Sequence, residues 1–244
     1  MLCSLKSWHD YFVENSSNKG GISWDDVDTL TAEEKKRIEK SIATFQLGEY
    51  SEGRGLLRFA TEYANKNADD HLIKITRLFI AEEQNHARLL KSFMDRHEIA
   101  AVKKNWTDTV FRRLRKNVGY ELSITVLITA EIISLVYYRA LKNCTGSRLL
   151  AKVCDKLLAD ESAHIRYESE LIIYIRNSRS APVSRLIGLL HRTLFMGTTL
   201  VVYLEHREVI RGGGYGLLEF WAACQSEFSG CFTPAEIVQA SQSA

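Results

Sequence analysis

The fold is decided by the stretch from Leu122 to Tyr138, which reads LSITVLITAEIISLVYY. This stretch is almost long enough to cross a bilayer, but Glu131 lies near its centre, and a carboxylate is costly in lipid. A buried core helix of a soluble bundle explains the stretch better. The sequence therefore predicts a helical core that contains an acid, and no membrane span.

The composition excludes several classes of protein. Of the 244 residues, 45% are hydrophobic and 25% are charged, which is ordinary for a globular chain and excludes a disordered or collagen-like one. The net charge of +2 does not indicate nucleic acid as a partner. The five cysteines form no CxxC pair and are odd in number, and the N-terminal residues lack a secretory signal, so a reducing, cytoplasmic location is expected.

The rest of the chain favours long helices, because it contains only two prolines and no sustained strand-like alternation. Thr31 to Glu34 form a capping-box pattern that predicts a helix from residue 32 towards Lys66, with glycines that could kink it. Further helices are predicted over about 71–97, 107–116, 119–143, 147–176, 184–210 and 215–228. The sequence thus predicts an all-α fold: an N-terminal extension (1–31), a four-helix bundle (32–176) and a C-terminal helical extension that packs on the bundle (177–244).

Two predicted helices place a glutamate and a histidine where apolar residues belong. Residues spaced by three or four share one face of a helix, the face that meets the core. The two stripes are Leu72, Ile75, Phe79, Glu83, His86 and Leu90, and Leu150, Cys154, Leu157, Glu161, His164 and Glu168. A buried carboxylate needs a cation or a proton, so each Glu-x-x-His pair indicates a polar site inside the core.

Two more acids belong to the same pattern. Glu131 lies on the inward stripe of its helix, and Glu52 lies in the first helical stretch, where Glu49 could reach the same face from three residues earlier. Four carboxylates and two imidazoles that converge in a four-helix core would suit two first-row metal ions. Iron is the favoured metal, and manganese or a mixed Mn/Fe pair fits the same donors.

This order of donors resembles the ligand set of the ferritin-like dimetal carboxylate proteins over residues 32–176. The segments AEEQNH (81–86) and ADESAH (159–164) are similar to the two motifs of soluble acyl-carrier-protein desaturases. The segment from Glu52 to Phe59 resembles the first-helix motif of rubrerythrins, which favours Glu52 over Glu49.

The resemblance implies a role for each position. It places Glu52, Glu83 and His86 on one side of a dimetal cluster. It places Glu131, Glu161 and His164 on the other side, with Glu83 and Glu161 as bridges between the metals. It also implies that Ser134, three residues after Glu131, is a catalytic hydroxyl near the face where oxygen binds.

The resemblance further implies a di-iron oxidoreductase that activates O₂ to oxidise, desaturate or oxygenate a small or acyl-type organic substrate. No flavin, NAD or iron–sulfur motif is present, so an external electron donor is expected. The alternatives are an iron-handling protein (a ferroxidase, store or peroxide scavenger) and a structural protein without turnover. The apolar C-terminal helices could wall a substrate pocket or form a homodimer interface.

A basic run between residues 103 and 116 suggests a partner. The run comprises Lys103, Lys104, Arg112, Arg113, Arg115 and Lys116. Such a patch could dock an acidic acyl carrier protein or a CoA substrate, and the alternative is a solvated connector face.

Overall fold

The computed structural model describes residues 5–17, 21–50, 53–67, 70–115, 119–177 and 179–232, without the side chains at 108, 111, 112, 114 and 115. Within these ranges the chain forms nine helices and no strand, which confirms the predicted all-α class. The helices are α1 (Leu5–Ser17), α2 (Ala32–Glu49), α3 (Arg54–Asn67), α4 (His71–Arg96), α5 (Trp106–Arg115), α6 (Tyr120–Asn143), α7 (Arg148–Asn177), α8 (Ala181–Gly212) and α9 (Leu217–Cys231).

The start of α2 confirms the predicted capping box. The Glu34 backbone N–H donates to the Thr31 hydroxyl at 3.2 Å, and the Thr31 N–H donates to the Glu34 carboxylate at 2.9 Å. The predicted continuation towards Lys66 is wrong, because α2 ends at Glu49 and α3 begins only at Arg54. Gly53 precedes α3 with a φ of 64°, a left-handed conformation that glycine adopts without strain.

Helices α2, α4, α6 and α7 form the centre of the molecule. Helix α6 packs along α7, α2 packs along α4, and α4 also contacts α7. The ring of Phe45 on α2 stacks on Tyr137 of α6, with 3.5 Å between ring centroids. Apolar side chains of all four helices are fully enclosed, as Ile42, Leu90, Ile132 and Leu157 show. These four helices supply the acids and histidines of the candidate site.

Helix α1 was not predicted, because only Trp8 and Phe12 of its residues are buried and the segment was treated as a mixed extension. The helix packs against α4. The ring of Phe12 lies against Phe79 and is stacked on the imidazole of His164, with centroids 5.9 Å apart. The N-terminal segment therefore covers the candidate site rather than extending away from it.

Helices α8 and α9 pack against α6 and against each other, and α8 also contacts α2. Pro182 lies in the first turn of α8, so it marks the boundary predicted there. Helix α8 is kinked at His206, whose φ of −113° and ψ of 18° are not helical. Two described helices, α6 and α8, are long and apolar enough to cross a membrane by length and composition alone. Helix α6 is enclosed by its neighbours, whereas α8 is largely exposed.

Candidate metal centre

Four helices bring six acidic and imidazole side chains together in two overlapping groups. One group is Glu49, Glu83, His86 and Glu161, and the other is Glu83, Glu131, Glu161 and His164. In each group the ligand atoms all lie within 4.8 Å of one another. Glu83 and Glu161 belong to both groups, so their carboxylates lie between the two histidines. The predicted residues from Glu83 onwards are thus assembled as one buried cluster.

The first acid of the cluster is Glu49, the last residue of α2. Its side chain is buried, and the Tyr138 hydroxyl donates a hydrogen bond to its Oε1. Glu52, which the sequence favoured, lies outside the described residues, so its role stays a prediction. The structure places the alternative that the sequence left open, Glu49, among the donor groups.

The two histidines are oriented by acids of the opposite motif. The Nε2 atom of His86 is 3.0 Å from Oδ2 of Asp160, and the Nε2 atom of His164 is 2.8 Å from Oε2 of Glu82. These bonds turn both Nδ1 atoms towards the cluster: that of His86 lies 3.5 Å from Glu161, and that of His164 lies 3.2 Å from Glu83. An outer acid on the remote nitrogen is the usual partner of a metal-binding histidine.

Asn15 of α1 connects the two outer acids. Its side-chain amide donates to Oε1 of Glu82 at 2.9 Å and to Oδ1 of Asp160 at 3.1 Å. Lys156 adds an ion pair of 2.7 Å to Asp160. None of these residues was assigned a role from the sequence. A signal for the two acids existed, since each directly precedes the glutamate of a Glu-x-x-His pair, but Asn15 carries no sequence signal.

Burial and mutual repulsion govern the charges in the cluster. Burial raises the pKa of Glu83 to about 7, and the neighbouring charges of Glu131 and Glu49 act in the same direction. Burial alone would lower the pKa of His86, but the hydrogen bond to Asp160 and the nearby carboxylates of Glu49 and Glu83 raise it to about 10. The carboxylates therefore attract positive charge to the centre, which protons or metal cations can supply.

Several buried polar atoms of the cluster lack a hydrogen-bond partner, as expected of atoms that bind a metal. Both carboxylate oxygens of Glu161, Oε1 of Glu83 and the Nδ1 atoms of His86 and His164 are buried without a hydrogen-bond partner. Buried polar atoms are nearly always paired, so several orphans that converge need an explanation. Carboxylate oxygens and imidazole nitrogens are donors for first-row metal ions. The cluster could hold such an ion on these atoms.

A cavity of about 710 Å³ adjoins the cluster. Three of the clustered acids, Glu49, Glu83 and Glu131, form part of its wall. The rest of the wall is mainly apolar and includes Phe59, Phe79, Ile80, Val126, Leu127, Ile133 and Val202. The volume is in the range that accommodates a small organic molecule.

Polar side chains of two helices also line this cavity. Ser134 lies in its wall, and its hydroxyl donates to the backbone carbonyl of Glu131 at 2.9 Å. Glu205 and His206 of α8 line the cavity as well. Burial lowers the pKa of His206 to about 4, and the charge of Lys40 contributes, so this imidazole is neutral at pH 7. The catalytic role expected for Ser134 stays a prediction.

The basic run is only partly described. Lys103, Lys104 and Arg113 are exposed. The side chains of Arg112 and Arg115, and the whole of Lys116, lie outside the described part of the chain. The docking of an acyl carrier protein or CoA to this run therefore stays a prediction.

Comparison of the chain with protein-family models, with curated proteins and with solved structures found no match. The donor atoms and the adjoining cavity are therefore the basis for assigning a chemistry to the centre.

Proposed function

We propose that this protein is a ferritin-like dimetal carboxylate oxidoreductase that uses O₂ to oxidise, desaturate or oxygenate an apolar or acyl-type organic substrate. The observation that carries the proposal is the pair of donor groups that share Glu83 and Glu161 beside a largely apolar cavity. Ferritin-like dimetal proteins use the same number and type of donors on four helices.

Each donor group would hold one metal ion. His86 offers a nitrogen to one group and His164 to the other. Glu49 belongs only to the group of His86, and Glu131 belongs only to the group of His164. Four carboxylates balance the charge of two divalent ions, and this hard-oxygen and imidazole set favours iron, with manganese or a mixed pair as the alternative. When bound, the metal pair would supply the activation of O₂, with electrons from an external donor.

The chain itself would contribute orientation and a dry reaction space. Asp160 and Glu82 fix the two imidazoles, so the donor atoms are held in position before a metal binds. The apolar wall would place an organic substrate beside the acids and exclude water. Ser134, on the same wall, would place its hydroxyl in the reaction space.

The cavity favours an organic substrate over iron handling. A ferroxidase or an iron store needs access for iron and water. Here the wall next to the acids carries Phe59, Phe79 and Leu127 instead. A structural protein is disfavoured by the same cluster, since buried acids without a cation would lower the stability of the fold.

Metal content after anaerobic loading with Fe(II) tests this proposal. Elemental analysis after removal of excess metal should give about two irons per chain, with an absorbance change on exposure to O₂. Glu83→Ala and His164→Ala should each lose at least one metal while helix content persists. Glu62→Ala, a substitution of an exposed acid on α3, is the matched control and should retain both.

The same assay separates Glu49 from Glu52 as the first ligand. Glu49→Ala should lower metal content, and Glu52→Ala should leave it unchanged if Glu49 is the ligand. Full retention of both metals in the Glu83→Ala or His164→Ala variant would mean that the ligands are wrong. Negligible binding of both iron and manganese by the unmodified chain would refute the enzymatic function.

The cavity is tested separately. Val202→Trp would fill part of it without touching a proposed ligand, so metal content and the O₂-dependent absorbance change should persist. Turnover of any substrate found by screening should fall. Unchanged turnover with this variant would show that the substrate binds elsewhere.

A further inference from the structure

The outer face of α8 exposes a row of large apolar side chains. Its members are Val183 (42% exposed), Leu186 (57%), Leu189 (62%), Leu190 (60%), Met196 (40%), Leu200 (43%) and Leu204 (58%). We name this set the α8 stripe. Single exposed apolar residues are normal, but a continuous row of them marks an interaction surface.

The stripe runs along one side of a single helix. Leu186, Leu189, Met196, Leu200 and Leu204 are separated by three, four or seven residues, so they fall on the same face. The opposite face packs into the protein through buried side chains. Only 28% of the most apolar 18-residue segment of α8 is buried, compared with 89% for α6. Helix α8 is therefore attached to the core by one face, and no residue in the described part of the chain covers its apolar stripe.

Along residues 181–204 of α8 the charged side chains are of one sign, and the nearest acids, Glu205 and Glu208, follow the end of the stripe. Residues 181–204 contain no aspartate or glutamate, while Arg185 and Arg192 are exposed within this segment. A second copy of the chain placed on the stripe would offer these arginines no acid from the same segment. An anionic lipid surface offers negative headgroups for the arginines and acyl chains for the leucines.

We propose that the α8 stripe binds the surface of an anionic lipid bilayer. Helix α8 lies in the interface plane, with the stripe among the outermost acyl carbons and Arg185 and Arg192 at the headgroups. Because the other face of α8 packs on the helices beneath it, the helix rests on the bilayer and does not cross it.

This position also relates the bilayer to the cavity. The inner face of α8 contributes Thr198, Val202 and His206 to the cavity wall, while Leu200 and Leu204 lie on the outer face. One helix thus separates the lipid from the cavity. An apolar substrate could then enter the cavity from the bilayer. Substrate entry rests on the proposed function, whereas lipid binding by the α8 stripe does not.

Co-sedimentation of the full chain with unilamellar vesicles tests the proposal. Vesicles of phosphatidylcholine with phosphatidylglycerol should bind the protein, and vesicles of phosphatidylcholine alone should bind it much less. The double substitution Leu189→Ser, Leu200→Ser should lower the partition coefficient at least about tenfold. Arg185→Gln with Arg192→Gln should remove most of the dependence on salt and on anionic lipid. Val27→Ser, at an apolar side chain that is 91% exposed before α2, is the matched control.

Three results would overturn the proposal. The first is failure of the unmodified chain to bind anionic vesicles, and the second is equal binding by the double leucine variant. The third is a dimer in light scattering that the leucine substitutions dissociate, because the occupant of the stripe would then be a second copy. Metal content separates this proposal from the proposed function. If the chain binds vesicles but no metal, lipid binding by the α8 stripe stands and the dimetal function is refuted.

Discussion

Replacing Asp160 by asparagine should weaken metal binding without unfolding the protein. Asp160 is only 3% exposed, and its Oδ2 lies 3.0 Å from Nε2 of His86. Asparagine has the same shape but no charge, so the imidazole loses a charge-assisted hydrogen bond and becomes a weaker donor through Nδ1. Lys156 and Asn15, which bond the other carboxylate oxygen, would remain in place.

The size of the effect follows from this geometry. Loss of the outer partner of a metal-binding histidine costs about 10- to 100-fold in metal affinity. That range corresponds to about 1.4–2.7 kcal/mol, which matches the worth of one hydrogen bond to a charged group. Since solvent barely reaches Asp160, little of this contribution is lost to screening. Glu82→Gln should have an effect of similar size on the group that contains His164.

Titration with Co(II), followed by visible absorption, measures both effects. Asp160→Asn and Glu82→Gln should each weaken one of two binding steps, and the double variant should weaken both. Asp155→Asn is the matched control, since Asp155 lies on the same helix and pairs at the surface with Lys142. An affinity of Asp160→Asn within about twofold of the unmodified chain, with helix content intact by circular dichroism, would refute the role assigned to the outer acids.

Three further predictions concern stability. Phe12→Ala should lower the free energy of unfolding by about 3–5 kcal/mol in urea, because the ring is fully buried over the cluster. Gly213→Ala should cost about 1–3 kcal/mol in the same assay, because its Cβ would lie 2.2 Å from the Ala140 carbonyl oxygen. Burial lowers the pKa of His191 to about 3, so acidification from pH 6.5 should cost about 1.4 kcal/mol per pH unit, and His191→Phe should remove this slope.

Each stability prediction has its own control. Val13→Ala, next to Phe12 but 46% exposed, should change stability little. Gly188 lies within α8, the helix that ends directly before Gly213, and a Cβ added at Gly188 would meet open space. Gly188→Ala should therefore leave stability unchanged or raise it. The His191 slope has the stated sign because the unfolded chain takes up a proton below about pH 6.5 and the folded chain does not. Parallel pH dependences for the two proteins would show that His191 is not buried in a neutral form.

The helices of the bundle could be predicted because their apolar residues repeat at helical spacing over many turns. Helices α4, α6 and α7 begin and end within a few residues of the predicted bounds. The break after Glu49 was not predicted, since the surrounding residues are compatible with a helix and glycines alone do not fix where it ends. Helix α1 was missed because two buried aromatic residues give too little periodic signal.

Within one helix, spacing settles which side chains share a face. Glu83 with His86, and Glu161 with His164, were therefore predicted to point inward together, and each pair does lie in the cluster. Contacts between helices depend on their separation and rotation, which no local pattern encodes. The bond from Glu82 to His164 is of this kind.

The amino-acid pattern alone established the helical class, the inward-facing Glu-x-x-His pairs and the acid at the centre of the most apolar helix, since each follows from a periodicity along one chain segment. Only packing decided that Asn15 bridges two acids from α4 and α7, that Glu49 lies among the donors, and that the described helices leave one apolar face of α8 exposed. These features join segments far apart in the chain, and the distance between such segments is fixed only when all the helices pack together.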